Sequence, residues 1–152
     1  MKKFSFTLIV TALMLLAGAS LTGCVSDGWY PLAPPGWSSW YDSSLTGKWR
    51  LVECNGREVG PYDTNWIDFY GNGRGMYYYY SYNRPYSERL AYWCQQPASP
   101  NSPYQINIQY EDGTTSTMNY WLQRNGTELC MQWRDNGVLV TYVYASVGYI
   151  NW

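Results

Sequence analysis

Residues 45–56 read LTGKWRLVECNG. Leu45, Gly47, Trp49 and Leu51 fall at every second position, and the run stops at Asn55-Gly56. A period of two puts those four residues on one face of a β-strand. Asn-Gly supplies the positive φ that a tight hairpin needs. The stretch therefore reads as a first strand entering a hairpin, and the chain beyond it repeats the pattern.

Asx-Gly pairs recur at Asn72-Gly73, Asp112-Gly113, Asn125-Gly126 and Asn136-Gly137, and proline marks two further breaks, at Asn83-Arg84-Pro85 and across residues 96–103. Between the breaks lie eight segments: 48–54, 64–71, 74–82, 88–95, 104–110, 115–123, 127–134 and 138–146. Residues 86–93 offer the best helical alternative, but Tyr92, Trp93 and Pro97 argue against it. Short connections predict an all-β, eight-stranded up-and-down antiparallel barrel, since closure removes exposed sheet edges. A two-sheet sandwich is the competitor. A Greek-key path needs a long crossover, and only the gaps at 55–63 and 96–103 are long. Alternation nominates the inward residues: Trp49 and Leu51, Ile67 and Phe69, Tyr104, Ile106 and Ile108, Met118 and Tyr120, Leu129, Met131 and Trp133.

The amino terminus is MKKFSFTLIVTALMLLAGASLTGC. Lys2 and Lys3, an apolar run from Phe4 to Leu16 and small residues thereafter describe a secretory signal peptide. Leu21-Thr22-Gly23-Cys24 resembles the lipobox of bacterial lipoproteins. That resemblance implies cleavage before Cys24, acylation of Cys24 and a lipid-anchored place in the bacterial cell envelope, at the outer membrane. Several acyl chains anchor a protein stably. The expected organisation is a signal peptide over 1–23, a lipid-anchored linker over 24–44 and a barrel over 45–152. The linker is rich in Pro, Gly and Ser but also carries Trp29, Tyr30, Trp37, Trp40 and Tyr41. Rings that costly to leave in water predict a tether partly folded back onto the domain.

Without Lys2 and Lys3 the chain has 8 basic and 11 acidic side chains, a net −3. That balance argues against a nucleic-acid partner. The whole chain holds 9 Trp and 17 Tyr, so the core must be built from rings whose N–H and O–H groups need partners when buried. Met76-Tyr77-Tyr78-Tyr79-Tyr80-Ser81-Tyr82 is the densest stretch. As a strand it sets Tyr77 and Tyr79 against Tyr78 and Tyr80, one pair toward the core and the other a candidate aromatic surface, with the inward pair left open.

Leu45-x-Gly47-x-Trp49-x-Leu51-Val52, followed by Asn55-Gly56, resembles the first strand of the lipocalin-like proteins of bacterial envelopes. Trp66-Ile67-Asp68-Phe69-Tyr70 and Gly71-Asn72-Gly73-Arg74-Gly75 are similar to the next hairpin of that group. The resemblance implies a Gly47-x-Trp49 tryptophan at the closed end of a barrel. Small envelope lipoproteins of the META type open in a similar way, but their Gly-Cys-Asn signature does not occur here.

Catalytic chemistry finds little support. The chain has no histidine, which removes the commonest general base and metal ligand near neutral pH. Cys54, Cys94 and Cys130 show neither a redox Cys-x-x-Cys nor zinc spacing. The expectations are therefore no catalytic residues, no metal and no cofactor. A meander brings Cys94 and Cys130 toward one end, which makes them the candidate disulfide. The expected role is binding: a small apolar or sugar-like ligand, or else a protein partner on a filled barrel with an exposed Tyr/Trp face, with the membrane engaged through the lipid.

Overall fold

The computed structural model describes Trp29, residues 31–38, 40–60 and 65–148. The expected signal peptide over 1–23 and the expected lipid site at Cys24 lie outside the described residues. The compact unit that holds the barrel begins at Pro31.

Among the described residues, a short 3-10 turn (Ser43–Leu45) is followed by nine strands: β1 (Gly47–Cys54), β2 (Arg57–Glu58), β3 (Trp66–Phe69), β4 (Arg74–Ser81), β5 (Arg84–Gln95), β6 (Tyr104–Tyr110), β7 (Thr115–Gln123), β8 (Glu128–Asp135) and β9 (Val138–Val147). Eight of them form one antiparallel meander that closes where β1 pairs with β9. The protein is an all-β, closed, eight-stranded up-and-down antiparallel barrel. β2 is a two-residue arm paired to the end of β1, inside the segment that the sequence reads as a gap. A register shift between Leu51 and Glu53 bulges β1 against β9. Bulges of this kind bend a strand and increase its twist.

The turns follow local chemistry. Asn55-Gly56 and Asn136-Gly137 take φ values of 50° and 77°, and 48° and 82°. The β4–β5 turn centres on Tyr82-Asn83, both at positive φ, so β5 starts at Arg84 rather than at residue 88. Pro85 is tolerated there because β6 first meets β5 at Leu90, which leaves this part of β5 flanked by β4 alone.

The barrel interior is a single apolar cluster. Trp49, Leu51, Ile67, Phe69, Leu90, Tyr92, Cys94, Ile106, Ile108, Met118, Tyr120, Leu129, Met131 and Tyr144 are all buried in it. Each large side chain of this kind contributes roughly 1.5–3 kcal/mol on leaving water. An eight-stranded barrel is only wide enough for its own side chains or one small ligand, and here side chains fill it.

Candidate functional site

The tether closes one end of the barrel. The Cys94 N–H donates to the Trp40 carbonyl at 3.0 Å, and the Gln95 side-chain amide donates to the Gly36 carbonyl at 3.1 Å. Gly36 and Trp40 thus lie beside the end of β5, beyond Ala91, the last β5 residue paired with β4. Asp42 caps the 3-10 turn by accepting from the Ser44 N–H at 2.9 Å. Its other carboxylate oxygen accepts from the Tyr120 hydroxyl at 2.8 Å.

The buried rings at this end find partners. Trp49 Nε1 donates to the Leu45 carbonyl at 2.7 Å, and the Tyr92 hydroxyl donates to the Tyr70 carbonyl at 2.7 Å. Gly73, at φ +78°, leaves room for the Tyr41 ring; a Cβ there would lie 2.2 Å from Tyr41 Cε1. Burial pushes the Cys94 thiol up to about 11.

Tyrosines close the far end. Tyr77 and Tyr79 point inward and stack on each other at 5.2 Å between ring centroids. Tyr77 also meets Tyr110 at 5.9 Å, and Trp133 meets Tyr142 edge-on at 4.7 Å. Burial, then the neighbouring Tyr142, pushes Tyr77 up to about 12. Burial likewise raises Tyr92, Tyr110, Tyr120 and the wholly buried Tyr144.

Most of the inward candidates, namely Trp49, Leu51, Ile67, Phe69, Ile106, Ile108, Met118, Tyr120, Leu129 and Met131, lie in this interior cluster. Trp133 is half-buried against it. Tyr104 differs. It is the first residue of β6, is largely exposed, and is held between Trp40 and Tyr120 by ring contacts at 6.2 and 5.6 Å.

The cysteine pairing is corrected: Cys54, Cys94 and Cys130 are free thiols. Cys94 belongs to the interior cluster, whereas Cys130 alternates with the inward Leu129 and Met131 and so faces outward. Strand alternation aims the two sulfurs to opposite sides of the wall. Among the described residues no three or more His, Cys, Asp or Glu side chains gather as a metal site.

A concavity lies on the outer wall. Tyr78 and Tyr80 of β4 point outward beside Trp66 and Asp68 of β3 and Lys48 of β1. With Tyr70, Pro85 and Val147 they line an open groove of about 890 Å³. Lys48 Nζ lies 5.8 Å from the Trp66 ring and 5.6 Å from the Tyr78 ring. Burial, then the charges of Tyr78 and Asp68, holds Tyr70 above its usual range. Tyr80 is 57% and Tyr70 39% exposed. The sequence nominates the tyrosine run but misses Lys48, Trp66 and Asp68, which join it only through the β1–β3–β4 register. A second outer cavity of about 390 Å³ is polar, with Arg50, Glu53, Glu58 and an Arg124–Glu128 ion pair at 3.0 Å.

The fold and its groove define a class, a filled antiparallel β-barrel compatible with a lipocalin-like fold. No protein-family model matches the chain, and no curated protein matches it either.

Proposed function

We propose that the chain is a bacterial envelope lipoprotein, anchored at the outer membrane through acylated Cys24, whose lipocalin-like barrel binds without catalysis through its outer wall. The observation that carries this reading is the division of the barrel: the lumen is occupied by its own side chains, while the β1–β3–β4 wall presents an aromatic groove. A ligand-sized pocket normally measures roughly 300–1,000 Å³ and mixes apolar walls with a few polar groups, and the groove meets both conditions. The absence of histidine and the scattered carboxylates support a non-catalytic role. The lipid and location rest on the Leu21-Thr22-Gly23-Cys24 motif.

A second reading, a protein-interaction module, draws on the β4–β5 tip, where Tyr82 is 95% exposed and Tyr86 also reaches solvent. Exposed tyrosines serve as anchors in protein interfaces.

Two measurements test the proposal. Cells fed an alkyne-bearing palmitate should label the wild-type protein and leave Cys24→Ser unlabelled and free of the membrane; a labelled, membrane-bound Cys24→Ser protein would refute the anchor. Titration with N-phenyl-1-naphthylamine, a neutral apolar probe of lipocalin-type lumens, should give no one-to-one uptake into the barrel. Uptake that persists in Tyr78→Ala and vanishes on enlarging an interior residue would refute the outer-wall reading.

A further inference from the structure

We infer that the outer groove binds a neutral saccharide, a short glycan laid across Tyr80 and Tyr70 with its hydroxyls on Asp68 and Lys48. This rests on the reading that ligands engage the outer wall, and it names their class.

Charge selects the ligand class. Lys48 places its ammonium over both Trp66 and Tyr78. An organic cation seeking those ring faces must displace a cation already tethered there, so the site disfavours the ligand that aromatic cages usually take. Asp68 is paired by strand register with Lys48, yet no hydrogen bond or ion pair joins its carboxylate to a described side chain. An anionic ligand would meet that carboxylate and a negatively charged chain. A purely apolar ligand would cover Lys48 and Asp68 and give neither a partner, which is costly for charged groups.

A polyhydroxyl ligand satisfies every wall at once. Neighbouring hydroxyls donate to the Asp68 carboxylate, an acceptor with two oxygens. A hydroxyl oxygen accepts from Lys48 Nζ, and the Tyr70 and Tyr78 hydroxyls, which line the same groove, can donate or accept. Apolar sugar faces rest on the exposed Tyr80 and Tyr70 rings, which supply large contact area with little rotamer entropy to lose. The groove is long enough in volume for more than one sugar ring, at about 890 Å³.

The test uses the processed, lipidated protein in phospholipid nanodiscs, titrated by calorimetry with chitotriose, cellotriose, maltotriose and choline. At least one trisaccharide should bind with Kd below about 1 mM, the affinity of a few good contacts. Asp68→Asn should weaken it roughly tenfold, the cost of about one charge-assisted hydrogen bond. Tyr80→Ala should weaken it about threefold or more through lost stacking area. Glu58→Gln, in the other outer cavity, should change nothing. Lys48→Met should empty the ring faces and raise choline affinity about tenfold. Failure of all three trisaccharides, preference of the wild type for choline, or indifference to Asp68→Asn would overturn the inference. If the naphthylamine probe is still excluded from the lumen, such a failure removes the saccharide class and leaves the outer-wall reading standing.

Discussion

Tyr77 and Tyr78 are adjacent on β4 and differ in almost everything else. Tyr77 points into the barrel, stacks on Tyr79, meets Tyr110 at a tilt, and is pushed up to about 12 by burial. Tyr78 points outward, shares Lys48 with Trp66 and lines an open groove. The pleat alone separates them. The same residue type closes the lumen on one side of the wall and furnishes a surface on the other. Stability should therefore depend on the inner set and recognition on the outer set.

The largest expected effect is collective and strikes only the inner set. An unfolded chain ionises a thiol near 9.0 and a tyrosine near 10.0, while the folded interior holds Cys94 up to about 11 and Tyr77 up to about 12. Over that interval the unfolded state binds fewer protons, so the stability is complete below about pH 9 and is lost as pH rises toward about 12. Denaturant midpoints measured across that range should fall steadily; midpoints that hold level would show that the inner tyrosines are not sequestered.

Tyr92→Ala comes next. It removes a fully buried ring and its hydrogen bond to the Tyr70 carbonyl, and should cost about 3–5 kcal/mol by thermal or denaturant unfolding. Gly73→Ala forces a Cβ into the Tyr41 ring at a positive-φ position. It should cost about 1–3 kcal/mol, and Tyr41→Leu in the same chain should recover part of that. Tyr120→Phe deletes the link to Asp42; a loss of about 1–3 kcal/mol is expected, with faster amide exchange at Ser44 and Leu45 as the tether loosens. Tyr80→Ala is the smallest. It should leave stability within about 0.5 kcal/mol while weakening ligand binding, and a large loss of stability would break the contrast between the two faces.

The strands were legible because their alternation is local. Ile106 and Ile108, Met118 and Tyr120, and Leu129 and Met131 can be assigned to one face from a period of two, and Asx-Gly marks several of the turns. The inward pair of β4 was not legible, because tyrosine suits either face of a half-buried sheet. Registry with Ile67 and Phe69 decides it, by setting Tyr77 opposite Ile67. The tether lock was hidden for a different reason: Asp42 and Tyr120 are 78 residues apart. The groove needs Lys48, Trp66 and Asp68 beside Tyr78 and Tyr80, and only the pairing of three strands brings them together. Cys94 and Cys130 share a region of the meander, but their opposite parity along β5 and β8 keeps them on different sides of the wall.

The central claim is that the barrel is filled and meets its ligand from outside. Crystals of the protein pressurised with xenon test it most directly, since xenon enters a dry apolar cavity of roughly 150 Å³. A filled barrel admits no xenon among Leu51, Ile108 and Met131. Ordered xenon at that point would reveal a lumen able to hold a ligand and would show that the barrel is not filled.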